Sequence, residues 1–136
     1  MLKKLIFWGI SAIFLTSGVI FPSGCSFEYP TYIAISAQGT TLDSEVDPNF
    51  GVAKWFILID TETMEYTVIE GVEDDSERGV GRLSAALVAE TGVGAVLTGA
   101  MGGGAAQVLV EAGVYVFGGV SGTVEYAVEQ YKKRRY

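Results

Sequence analysis

Two stretches near the C-terminus, VGAVLTGAMGGGAAQVLVEAG and VYVFGGVSGTVEYAVEQY, run from an apolar strand through a glycine-rich turn into a helical pattern. In the first, residues 93–97 read as strand, 99–104 as the turn and 105–112 as a helix stopped by Gly113. In the second, residues 114–117 read as strand, 118–122 as the turn and 123–135 as the last helix. A further helix precedes them, because Val80, Leu83, Leu87 and Val88 lie three to four apart and share a face, with Gly92 as its stop. Ser84-Ala85-Ala86 predicts a tight crossing for that helix. Strands alternating with helices at this spacing imply right-handed crossovers and parallel pairing.

The chain upstream follows another rule. Residues 32–36 (YIAIS) predict a strand ending at Gln38-Gly39-Thr40, followed by the polar loop TLDSEVDPNFG over 41–51. Residues 54–60 (KWFILID) are apolar almost throughout, as a strand buried on both faces requires. Thr61-Glu62-Thr63-Met64 reads as a tight turn into a strand over 66–69, which makes a hairpin. An acidic connector over 70–77, with Glu73-Asp74-Asp75 at its middle, reads as solvent-facing loop. The expected fold is therefore α/β: a mixed five-stranded sheet in three layers, with helices on both faces.

Length and charge narrow the function. The chain has 136 residues, enough for one domain and an appendage, and a net charge of −7 argues against a nucleic-acid surface. The basic run Lys132-Lys133-Arg134-Arg135 reads as a solvated helix end that complements the dipole. One cysteine excludes an internal disulfide framework. Residues 1–30 stand apart from a domain over 31–136. Lys3-Lys4 precedes an apolar run over 5–21, broken by Pro22, with Cys25 beyond it. That run fits a signal-peptide core, a short membrane anchor or a misassigned start, and the first two would export or anchor the domain.

No nucleophile–base pair is visible. With no histidine and a single cysteine, neither a Ser-His-Asp nor a Cys-His arrangement can form, nor can a multi-thiolate metal site. The glycine turns carry more. Gly99, Gly102, Gly103 and Gly104 let a ligand approach the backbone, and a helix N-terminus aims free N–H groups at an anion. Thr98, Ser121 and Thr123 add hydroxyls beside those amides. Both turns fall beyond the carboxyl ends of strands, where open α/β sheets bind ligands, and two of them suggest one pocket with two walls. The plainer alternative is that the glycines only permit close helix–strand packing.

The loop TLDSEVDPNFG, the TGAMGGGAA turn and GVYVFGGVSGTVEYAVE occur in an order and spacing that resemble the dinitrogenase iron–molybdenum cofactor biosynthesis family, which includes NifX, NafY and the C-terminal part of NifB. The resemblance covers residues 32–131. It implies a ribonuclease-H-like fold, a cytoplasmic setting, protein partners in cofactor assembly, and binding of an iron–sulfur or iron–molybdenum cluster precursor. The loop position that many relatives fill with histidine or arginine is Asn49, and Val52-Ala53 stand where basic residues or cysteine are frequent. Direct metal bonds through imidazole or thiolate are thus missing from the domain, although amides and hydroxyls can still hold a polyanion.

The leading reading is a non-enzymatic carrier for an anionic cluster. Its site would comprise Asn49, Phe50 and Gly51 with Thr98, Gly99, Gly102, Gly103, Ser121, Gly122 and Thr123, with Phe50 as an apolar lid and no metal ligands or catalytic residues. The alternative is a structural or regulatory interaction domain with a vestigial pocket, offering surfaces such as the helix over 126–131. A phosphate- or nucleotide-binding enzyme would need a base and a cation site that are not apparent.

Overall fold

The computed structural model describes residues 28–73 and 79–136. The apolar run over 5–21, Cys25 and the centre of the acidic connector lie outside the described residues. Five strands and three helices follow in the order β1 (Tyr32–Ala37), β2 (Trp55–Asp60), β3 (Tyr66–Glu70), α1 (Val80–Ala89), β4 (Ala95–Leu97), α2 (Gly103–Glu111), β5 (Tyr115–Phe117) and α3 (Val124–Lys132). The sheet order is β3-β2-β1-β4-β5. β1 pairs antiparallel with β2, and β2 with β3, whereas β4 lies parallel to both β1 and β5. The mixed sheet expected from the hairpin and the later alternation is what forms.

Alternation along β1 and β2 sorts the core into two clusters. Ile33, Ile35, Ile57 and Ile59 pack with Val124, Ala127, Val128 and Tyr131 of α3. Ala34, Phe56 and Leu58 pack with Ala85 and Val88 of α1 and with Ala105 and Leu109 of α2. The helix stops act as glycine should. Gly92 and Gly113 adopt φ of 87° and 83°, and behind α2 the Gly113 and Val114 amides donate back to Val110 and Leu109 in a Schellman motif.

One helical face differs from its expectation. Val88 is buried as its spacing implies, but Leu83 is 48% exposed and α1 buries Ser84 and Ala85 instead. Small residues win those positions because α1 also runs close to α2, where a Cβ on Gly81 would stand 3.6 Å from that of Ala105. The helix over 126–131 likewise offers less surface than expected. Tyr126 is exposed, but Tyr131 is buried, with its hydroxyl donating to the Pro30 carbonyl at 2.6 Å. Burial pushes the Tyr131 phenol up to about 12, the nearby Arg134 charge opposing that rise. The basic run is exposed, as expected of a solvated helix end, and the Arg134 guanidinium stacks 4.3 Å from the Tyr29 ring centre.

Among the described residues no helix is long and apolar enough to cross a membrane.

Candidate functional site

The loop over 41–51 determines what the two glycine turns can do. Near its start, the Ser44 carbonyl accepts from the Val124 amide and the Leu42 carbonyl from the Glu125 amide, at 2.8 and 2.9 Å. Thr123 caps α3 by accepting from the Tyr126 amide at 3.1 Å. Val46 donates to the Gly122 carbonyl, and the Gly119 and Val120 amides donate to Gly99 and Thr98. The N-terminal amides of α3 are therefore already satisfied, and the second turn is closed by the protein's own backbone.

The same loop continues to the first turn and leaves it open. Ala100 donates to the Pro48 carbonyl at 2.7 Å and accepts from the Phe50 amide at 3.0 Å. An Asx turn, in which Asp47 Oδ1 accepts from the Asn49 amide at 2.9 Å, shapes the loop between these contacts. Ser84 Oγ of α1 donates to the Gly51 carbonyl at 2.9 Å, which ties the far side of the loop to the helix layer. Between Asn49–Val52 on one wall and Ala100–Gly102 on the other lies a cleft of about 560 Å³. That volume is in the range of small-molecule and cofactor sites, ~300–1,000 Å³.

α2 starts at the floor of this cleft without protection. Its N-cap, Gly102, supplies no side-chain hydrogen bond, and its first turn has no acidic residue to meet the helix dipole. α1 also begins on a glycine without a side-chain cap, whereas α3 carries both Thr123 and, in its first turn, Glu125.

The glycines separate into two kinds. A Cβ on Gly99 would lie 2.6 Å from Pro48 Cα, so this glycine is needed for the loop to approach. At Gly102 and Gly103 a Cβ would meet no atom within 4 Å. Packing thus explains Gly99 and leaves Gly102 and Gly103 unexplained.

The remaining candidates fall as follows. Asn49 is exposed and Gly51 half-buried on the cleft wall. Phe50 borders the cleft, but it is fully buried with its ring 5.1 Å from that of Phe56, so it anchors the loop in the core. Thr98 is also fully buried, and its hydroxyl lies 2.7 Å from Ser36 Oγ instead of beside a ligand. Ser121, Gly122 and Thr123 do not line this cleft.

Arg82 was missed. A Cβ on Gly104 would come within 2.8 Å of its Nε, which places the guanidinium against the first turn of α2. The signal was available only jointly, as an arginine on the helix before a glycine-opened helix. Among the described residues no group of three His, Cys, Asp or Glu side chains is placed to hold a metal ion.

A mixed five-stranded sheet with three helices, and a cleft beyond the end of β4, defines a small α/β domain. More particularly, the chain belongs to the dinitrogenase iron–molybdenum cofactor family, whose model matches residues 31–134. The apo form of the orange protein from Desulfovibrio gigas is 33% identical, with a TM-score of 0.74 over 80% of this chain and 92% of that one. A Thermotoga protein described as a NifB candidate is 30% identical, with a TM-score of 0.67 over 77% of this chain and 90% of that one. The comparison with curated proteins gives no match.

Proposed function

We propose that this protein is a non-enzymatic carrier that holds an anionic metal–sulfur cluster, of the kind its family is named for, in the cleft between Asn49–Val52 and Ala100–Gly102. The observation that carries this reading is the bare glycine N-terminus of α2 at the cleft floor, with two glycines that packing does not require. Gly102 and Gly103 would present amides to the cargo, and Gly51 would allow its close approach. Asn49 would add a side-chain amide and Arg82 a positive charge. Thr98 and Gly99 support the site from behind, and Ser121, Gly122 and Thr123 belong to the closed turn. With imidazole and thiolate lacking among the described residues, the cargo would be held by charge and hydrogen bonds and released without breaking protein–metal bonds.

The ribonuclease-H-like layering, with helices on both sheet faces, belongs to the same reading and is supported by the two separate core clusters. So does action in the cytoplasm, with export or anchoring through residues 5–21 as the alternative that intact-mass analysis and fractionation separate.

Anaerobic titration with an isolated iron–molybdenum cofactor precursor, followed by visible absorbance, tests the carrier role. Saturable uptake is expected, weakened about threefold in Arg82→Ala, as loss of one exposed charge–charge contact predicts. No spectral change in the wild-type chain would end the proposal. The exposed Tyr126 on α3 favours a second reading, a protein-interaction domain. A chain that stays monomeric by light scattering and takes up cluster would reject it.

A further inference from the structure

Thr98 sits directly before the open glycine turn, yet its hydroxyl faces away from the cleft. Ser36 Oγ donates to the Asp47 carbonyl at 2.9 Å, because a carbonyl can only accept. The Ser36 proton is thereby committed, so the 2.7 Å contact between Ser36 Oγ and Thr98 Oγ1 must be donated by Thr98. Both residues are fully buried. The direction of the chain is therefore fixed: Thr98 hydroxyl to Ser36 hydroxyl to Asp47 carbonyl.

Asp47 is held by Ser36 a second time, since its amide donates to the Ser36 carbonyl at 2.8 Å. Asp47 is also the residue whose carboxylate shapes the turn at Asn49. One end of this short relay thus stands at the root of the wall that carries Asn49. The other stands at the root of the wall that begins with Ala100.

We infer that Thr98 and Ser36 are positioning residues that set the spacing of the two cleft walls through a directed pair of buried hydroxyls. The inference rests on the cleft being the cargo site, but the geometry it concerns exists without cargo. A low-dielectric setting strengthens both bonds, and the loss of one leaves a buried polar group unpaired. The two residues are not equivalent. Removing the Thr98 hydroxyl still leaves Ser36 able to donate to Asp47, whereas removing the Ser36 hydroxyl strands both the Asp47 carbonyl and the Thr98 hydroxyl.

The test is native-state amide exchange on the full chain, comparing wild type with Thr98→Val, Thr98→Ser and Ser36→Ala. The amides to follow are Phe50 and Ala100, which bridge the walls, against those of β2 as the measure of global stability. Thr98→Val should lower wall protection about tenfold more than β2 protection, and Ser36→Ala by a larger factor. Thr98→Ser keeps the hydroxyl and should restore wild-type protection even if Thr98→Val folds poorly. Equal loss at the walls and β2 would overturn the inference, as would a Thr98→Ser variant that behaves like Thr98→Val. Anaerobic titration of the same variants with tetrathiomolybdate, an anionic metal sulfide, then reads the consequence for binding. Failure of the wild-type chain to bind it or the cofactor precursor would count against the carrier role and leave the exchange result to decide the relay.

Discussion

The two glycine turns look alike in sequence and differ in what they have left to offer. Before α3, the first three helical amides are occupied, by Ser44, by Leu42 and by the Thr123 cap. Before α2, the cap is a glycine and the surroundings are a cleft. The difference is made by one polar loop, which covers the first amides of α3 but bonds to the turn before α2 only at Ala100, short of the helix start. A glycine-rich helix start is therefore open to a ligand only where the rest of the chain leaves it uncovered. Local pattern reports the potential, and tertiary hydrogen bonds decide which copy keeps it.

Gly103→Val is the sharpest way to break this comparison. An added Cβ there meets no atom within 4 Å, so stability should change by no more than ~0.5 kcal/mol, while cluster uptake falls about tenfold or more because the branched side chain would keep cargo from the 103 amide and its charge-assisted hydrogen bond. Calorimetry beside anaerobic titration checks both halves, and unaltered uptake would remove Gly103 from the site. Gly99→Ala should do the reverse. Its Cβ would press on the Pro48 backbone, costing about 1–3 kcal/mol in denaturant unfolding before any ligand is added.

The α3 side can be probed by pH. Burial raises the Tyr131 phenol from its ordinary 10.0 to about 12. The folded state therefore prefers the neutral ring more strongly than the unfolded chain does. Its contribution to stability is whole below pH 10 and is lost as pH climbs toward 12. Unfolding midpoints measured across that interval should fall in the wild-type chain and fall less steeply in Tyr131→Phe. The smallest effect expected is that of Thr123→Ala, about 1 kcal/mol from the lost cap, with cluster uptake unchanged. Reduced uptake in that variant would mean that the closed turn takes part in binding after all.

Much of the architecture was legible because it is written in short-range signals. The apolar run of β2, the tight turn after Asp60 and the glycine stops at Gly92 and Gly113 each follow from a few neighbouring residues. The site was legible only in outline. Asn49, Phe50, Gly51 and Gly102 line the cleft, but the polar company of Phe50 in DPNFG concealed that its ring is an anchor. A single aromatic inside an otherwise polar loop was the available clue. The closure of the α3 turn left no local trace at all, since Leu42 and Ser44 contribute only backbone carbonyls, which every residue type possesses. Leu83 misled for a related reason: helical spacing identifies a face, but close approach to another helix selects the small residues on it.

The bonds that build the cleft join Pro48 and Phe50 to Ala100. One wall is thus made early in biosynthesis and the other late, and no N-terminal fragment ending before the β4 strand contains both. A chain still emerging from the ribosome has no such cleft until most of its length has been translated and the sheet has closed. Assembly of the cleft is thereby deferred until both segments are present, and a product truncated before β4 lacks one wall altogether.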